Sequence, residues 1–226
     1  MEIKKSVFIS RQLEEDSVLW NLQSMGYEVL NQSLIELEPV PLEEIPETDW
    51  IFFYSKNAFI FFLRQAEALN FNLTGKKIAA IGQSSAEYIK QMGYPVAFIG
   101  SGHGDTTVDE FARIAGSASV LFPRAKNSLN SVARDLPASV DIRELVVYDN
   151  KERENMEIPA VDMALLTSPM NARVFFKNYK ESQHPTVISI GRSTAEVVRE
   201  YSNAPIIIAD QPSEESMMDA ILENLR

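Results

Sequence analysis

The 226-residue chain contains no cysteine and only two histidines. Without thiols there are no disulfides, no thiolate metal sites and no cysteine nucleophile, and two lone histidines make a transition-metal site a poor expectation. Long hydrophobic runs are also missing: nothing approaches the roughly 18 apolar residues that span a bilayer. The opening MEIKKSVFIS has only a three-residue apolar run before Ser10 and Arg11, too short for a signal-peptide core. Basic residues are few, 21 against 32 acidic ones, and the net charge of −11 argues against nucleic acid, where affinity comes from phosphate neutralisation. The reading is a protein of a reducing cytoplasm with no membrane and no nucleic-acid partner. Any polyanionic ligand would need a locally favourable site in a repulsive field.

What is present is a regular alternation. SVFIS (6–10), WIFFYS (50–55), KIAAIG (77–82), VAFIG (96–100), SVLFP (119–123), ELVVY (144–148), MALLTS (163–168), TVISIG (186–191) and PIIIAD (205–210) read as strands. Several are apolar at nearly every position, as parallel strands covered on both faces require. Between them, segments such as EEDSVLWNLQSMG (14–26) and STAEVVREYS (193–202) carry the apolar spacing of amphipathic helices. Strand–helix–strand alternation implies an α/β architecture with parallel sheets and right-handed crossovers. ELEPVPLEEIPETD (36–49) and YDNKERENMEIPA (148–160) are the boundary candidates.

The chain is one block written twice. IGQSSAEYI (81–89) recurs as IGRSTAEVV (190–198), and DWIFFYSKNAFIFF (49–62) aligns with DMALLTSPMNARVFF (162–176). Ser55 falls on Ser168 and Arg11 on Arg124, both at an offset of 113 (168 − 55 and 124 − 11), while Gly82 falls on Gly191 at 109. A period near 110 is too long for a solenoid and right for a domain.

The doubled junctions are the candidate sites, since open α/β sheets bind ligands where strands feed helices. The first turn of a helix offers unpaired N–H groups and partial positive charge to carboxylates or phosphates. Ser55-Lys56-Asn57 and Thr167-Ser168-Pro169 form one pair; Ser84-Ser85 and Ser193-Thr194 form the other. Arg11 and Arg124 end their strands, where Lys56 and Arg192 could add charge. Any one of these hydroxyls is explained as an ordinary N-cap, with Pro169 at the first helical position; four paired junctions, facing one another across two domains, favour a shared anion site. Tyr148 ends an apolar strand, so its phenol could project into an interdomain cleft, although position alone favours a buried ring. GQSSA and GRSTA imitate a nucleophile elbow, but Ala86 and Ala195 replace its last glycine, and only His103 and His184 could serve as base. GSGHG (100–104) reads as a turn.

Taken together, VFISR, FYSKNA, LTSPMNA, AAIGQSSAEYIKQMGYPV, VLFPRA, ELVVYDN, ISIGRSTAE and DQPSEESMMDAI resemble the uroporphyrinogen-III synthase family over the whole chain, with Tyr54 in place of a small hydroxyl residue. The resemblance implies two similar flavodoxin-like α/β domains joined by a two-stranded linker. One would be discontinuous, residues 1–37 with 151–226; the other would be 41–146, and 37–40 with 147–150 would link them. It implies a cofactor-independent, monomeric, cytoplasmic lyase that cyclises hydroxymethylbilane to uroporphyrinogen III, losing water and inverting the last pyrrole. Hydroxymethylbilane synthase would be a transient partner. Tyr148 would be the catalytic proton donor. Arg11, Ser55, Lys56, Asn57, Ser84, Ser85, Arg124, Thr167, Ser168, Pro169, Ser193 and Thr194 would hold substrate carboxylates as the domains close over it. A non-catalytic two-domain binder of an anionic metabolite is the alternative.

Overall fold

The runs that are apolar at nearly every position become the central strands of two parallel sheets. The computed structural model describes residues 5–224 except 103 and 129. In chain order the strands are β1 (Ser6–Ile9), β2 (Glu28–Asn31), β3 (Ile35–Pro39), β4 (Trp50–Phe53), β5 (Lys77–Ala80), β6 (Val96–Ile99), β7 (Ser119–Ala125), β8 (Asp141–Glu152), β9 (Met163–Leu166), β10 (Thr186–Ser189) and β11 (Ile206–Ile208). The helices are α1 (Asn21–Ser24), α2 (Lys56–Ala68), α3 (Gln83–Gln91), α4 (Gly104–Ala115), α5 (Ser131–Asp135), α6 (Pro169–Asn178), α7 (Arg192–Tyr201) and α8 (Glu214–Asn224).

The chain divides into two units, Met1–Glu36 with Lys151–Arg226 and Leu37–Asn150. The first holds the sheet β2-β1-β9-β10-β11, the second β8-β7-β4-β5-β6 with β3 added beside β8. The parallel ladders run through both. Matched by the sequence repeat, the two orders are identical: β1 corresponds to β7, β2 to β8, β9 to β4, β10 to β5 and β11 to β6. The added β3 is antiparallel to β8, because Leu34 accepts from Arg153 N–H and Val40 donates to Val147 O, so one number falls as the other rises. The chain passes from one unit to the other within β3 and within β8.

Each sheet is buried on both faces by period-2 alternation. In β4, Ile51 and Phe53 enter a cluster with Phe59, Phe62 and Ile89 from α2 and α3. Trp50 and Phe52 point the other way, onto Phe98 and Phe111. The first unit repeats the arrangement, with Ile9 and Leu165 facing Leu19, Leu22 and Met217 and Phe8 and Ala164 facing Phe175 and Val198.

Two elements differ from the sequence expectation. The helix expected over 14–26 is a 3-10 turn at Val18–Trp20 followed by the single turn of α1. Its fully buried leucines, Leu19 and Leu22, anchor one turn only, and Gly26 at φ 89° ends it. The strand β2 was not anticipated: EVLN is short, lies at the sheet edge and is nowhere fully buried, so it lacks the apolar run that marks central strands.

At the amino edge of both sheets an aspartate ties neighbouring strands together. Asp49 Oδ2 accepts from Ser119 N (2.9 Å) and Oγ (2.8 Å); Asp162 Oδ2 accepts from Ser6 N (2.7 Å) and Oγ (3.2 Å). Both partners are again 113 residues apart (162 − 49 and 119 − 6). The Ser119 backbone N–H, then its hydroxyl, hold the exposed Asp49 carboxyl below its ordinary value of 3.8. A depressed folded pKa gives stability that is present above the unfolded pKa and lost as pH falls through the folded one. Asp49→Asn should therefore reduce stability near neutral pH and flatten its decline below about pH 4, read from urea midpoints across an acid series; an unchanged acid limb would dismiss the clasp.

Candidate functional site

In each sheet the chain leaves one central pair of strands in opposite directions: β4 and β7 in one unit, β9 and β1 in the other. Such a switch point opens a crevice at the carboxyl ends of its strands, where eight of the expected site residues lie, six around the starts of α2 and α6 and two, Arg11 and Arg124, beside the ends of β1 and β7. Ser55 and Ser168 are the N-caps of α2 and α6, accepting from Ala58 N and Asn171 N, each at 3.1 Å. Pro169 is the first helical residue, as expected. Thr167 is committed inward: its N–H donates to Ser10 Oγ (2.9 Å) and its hydroxyl to Ser10 O (3.2 Å), stitching β9 to the fully buried Ser10. Lys56 and Asn57 are exposed in the first turn of α2, with Lys56 Nζ 5.8 Å above the Tyr88 ring.

The second pair of junctions is built differently. The caps of α3 and α7 are Gly82 and Gly191, and neither helix start has a side-chain cap bond. Ser84-Ser85 and Ser193-Thr194 are not caps but second and third helical residues; Ser84 and Ser193 are exposed, Ser85 and Thr194 buried. Both glycines are extended, at φ −164° and 179°, a backbone any residue adopts. A Cβ on Gly191 would meet nothing within 4 Å, whereas one on Gly82 would come 3.1 Å from Gly102 Cα. At Gly191, then, neither conformation nor packing asks for glycine; close approach of a ligand to the helix start would.

The two arginines are paired, not free. Arg11 Nη1 donates to Glu214 Oε1 at 3.0 Å. Arg124 donates through Nε and Nη2 to Glu144 Oε2, both at 2.9 Å, and through Nη1 to the carbonyls of Ala125 and Lys126, both at 3.0 Å. Sequence reading missed both glutamates, since nothing in their local spacing points at an arginine. Arg192 is the exposed first residue of α7.

Tyr148 owes its direction to a bulge. The β7–β8 register steps from Arg124↔Val146 to Ala125↔Tyr148, leaving Val147 as the extra residue. Leu145 and Val147 already face α2; without the bulge Tyr148 would face away, yet it joins the same cluster. Its ring is 7% exposed and stacks on Phe61 at 5.0 Å and 16°, so it is buried within its own unit, not a freely projecting side chain. Burial pushes the phenol up from its ordinary value, and the Ser55 hydroxyl beside it partly offsets this.

The nucleophile-elbow reading fails. The strained backbone it requires is absent: the non-glycine positive φ angles among the described residues belong to Asn70, Asn130 and Asn155. His184 Nδ1 is bonded to Ser202 Oγ at 2.8 Å, and His103, with the part of GSGHG it occupies, lies outside the described residues. Among the described residues no group of three His, Cys, Asp or Glu could hold a metal, and no helix is long and apolar enough to cross a membrane.

Tyr54 is a buttress: its Oη accepts from Ala133 N–H at 2.8 Å. Burial raises its pKa to about 12, against the Ala133 N–H bond and with help from Glu144. A raised folded pKa means stability that is intact below the unfolded value near 10 and lost as pH climbs towards 12. Alkaline difference spectroscopy should show late phenolate absorbance that Tyr54→Phe reduces by one phenol; a variant trace identical to the parent would dismiss the assignment.

No match is found among curated proteins. The chain is similar to the crystal structure of uroporphyrinogen-III synthetase from Helicobacter pylori, at 25% identity and a TM-score of 0.75, covering 99% of this chain and 100% of that one. It shares its fold with a mutant uroporphyrinogen III synthase from Thermus thermophilus, at 15% identity and a TM-score of 0.60, covering 98% of each chain. A family model described as Uroporphyrinogen-III synthase HemD matches residues 17–219, both copies of the repeat included. The chain therefore belongs to the uroporphyrinogen-III synthase family.

Proposed function

We propose that the protein cyclises hydroxymethylbilane to uroporphyrinogen III, with Tyr148 as the proton donor and the paired helix starts as carboxylate receptors. The observation that carries the reading is the family match over both copies of the repeat. The buried phenol beside the Ser55-capped start of α2 supports the catalytic assignment.

The reaction needs a proton, cation stabilisation and enforced geometry. Electrons of the pyrrole nitrogen expel the hydroxymethyl oxygen once it is protonated, so the C–O bond breaks and water leaves. The resulting azafulvenium carbon is attacked by the substituted carbon of the last ring. The spiro intermediate so formed opens and recloses with that ring inverted, and a ring proton is released. A phenol whose pKa burial has raised stays protonated throughout the neutral range and can donate when the oxygen is placed against it. Head-to-tail closure is the undirected outcome, so holding the last ring is the protein's main task.

Holding an octacarboxylate on a chain of net charge −11 is a problem of local field. The first-turn N–H groups of α3 and α7, without side-chain caps, supply positive potential without a formal charge. Ser84 and Ser193, exposed on those turns, add hydroxyl donors. Ser55 and Ser168 already spend their oxygens on capping, and retain one proton each to donate.

Freshly made hydroxymethylbilane, incubated with the protein and oxidised, should yield the type III porphyrin; type I alone would reduce the protein to a binder or a bystander. Tyr148→Phe should lower turnover by about 10²-fold or more, the usual contribution of a general acid. Its folding stability should fall by only about 1 kcal/mol, the net worth of one hydrogen bond. Undiminished turnover in a folded Tyr148→Phe would remove the phenol from the chemistry.

A further inference from the structure

The two ion pairs at the switch points share a donor pair that the repeat preserves and an acceptor that it does not. In the first unit, Glu214 accepts from Arg11 Nη1 through Oε1 (3.0 Å) and from Ser17 Oγ through Oε2 (2.6 Å). In the second, Glu144 accepts from Arg124 through Oε2 (2.9 Å) and from Asn130 Nδ2 through Oε1 (2.8 Å). Arg11 and Arg124 are 113 residues apart, and so are Ser17 and Asn130 (130 − 17). Each donor pair thus takes one carboxylate, one oxygen per donor. The carboxylates come from unrelated places: Glu144 lies on a strand, β8, and Glu214 starts a helix, α8. On β2, the counterpart of β8, the position matching Glu144 is Asn31, whose side chain accepts from Leu13 N instead.

We propose that Arg11 with Ser17, and Arg124 with Asn130, form one carboxylate receptor in each unit, filled by Glu214 and Glu144 as internal stand-ins that a substrate carboxylate displaces. A pair kept for its ion bridge would keep both partners through the repeat; here only the receptor is kept. The donors are set for a carboxylate before any ligand arrives. Ser17 Oγ accepts from Leu19 N–H at 3.2 Å, which commits its proton to Glu214. Arg124 is fixed by the carbonyls of Ala125 and Lys126. Asn130 is held left-handed at φ 49°, and its buried Oδ1 has no partner, so its amide is oriented by what it donates to. The pairs are partly open to solvent, with side chains 44% and 20% exposed for Arg11 and Glu214, and 17% and 36% for Arg124 and Glu144. Ion pairs of that kind contribute little stability, which permits exchange for an incoming anion.

The inference rests on the carboxylate-rich substrate proposed above, and the test separates the two. An internal competitor lowers apparent affinity by the fraction of receptors it leaves empty. Glu144→Gln and Glu214→Gln should each tighten binding of uroporphyrin III, a stable octacarboxylate, by roughly three- to tenfold and steepen its salt dependence, as an unmasked guanidinium would. Arg11→Gln and Arg124→Gln should weaken it. If a glutamine variant does not fold, the aspartate variant carries the same test, being one methylene too short to bridge both donors. Unchanged or weaker uroporphyrin binding in folded Glu variants would make the pairs structural and overturn the inference. Formation of the type III isomer by the unaltered protein would leave the cyclase reading standing in that case. Its absence would sink that reading, while the porphyrin titration still reports on the receptors.

Discussion

A parallel sheet sends the carboxyl end of every strand to one edge, and the helices that return the chain must begin there. That constraint gathers unpaired N–H groups on one rim of each unit and gives the rim a positive potential that owes nothing to lysine. For a chain with 32 acidic and 21 basic residues, it is the available way to meet a polyanion. The order of strands then decides where on each rim a gap is left between crossovers. Because β4 and β7, and likewise β9 and β1, are neighbours from which the chain departs oppositely, no crossover covers the gap between them. The residues that end these strands, Arg124 and Arg11, share that gap with the caps Ser55 and Ser168.

The rim is not uniform, and the difference is chemical. At α2 and α6 a serine oxygen accepts the N–H three residues on, so part of the anion-receptive capacity is used internally. At α3 and α7 a glycine stands in that place and the first turn keeps its donors. Substituting a capping serine for Gly191 would stabilise a helix in isolation, and the structure has room for it. That stabilisation is forgone, as happens where a ligand supplies the missing acceptor. The serine caps fix the frame and the glycine caps leave it open.

How much of this was legible follows from which signals are local. Central strands such as WIFFYS were readable because burial on both faces writes itself as a continuous apolar run; β2, an edge strand with Asn31 turned to Leu13 N–H, carries no such mark. The helix expected at 14–26 had the right apolar spacing, but Leu19 and Leu22 needed only one turn to reach the core. The junction residues were found because the repeat showed them twice. Their chemistry was half legible: Pro169 and the serine caps stood where spacing put them, while Ser84-Ser85 and Ser193-Thr194 proved to lie inside their helices. The bulge at Val147 was invisible, since a register slip is a relation between two strands. It alone decides that Tyr148 stacks on Phe61 beside Ser55. The partners of Arg11 and Arg124 were hidden for the same reason, Glu214 being 203 residues from the arginine it binds.

Those glutamates change the electrostatic problem. An unpaired guanidinium at each switch point would attract any passing anion and would need its donors satisfied by water. A paired one is quiet. Binding of a carboxylate to a filled receptor exchanges one carboxylate for another, so the arginine keeps a partner of the same kind throughout and only the glutamate must find solvent. The gain at each receptor is therefore small, the difference between one carboxylate and another. On the proposal above, each unit offers one such receptor within itself, on the same rim as a helix start that carries no side-chain cap.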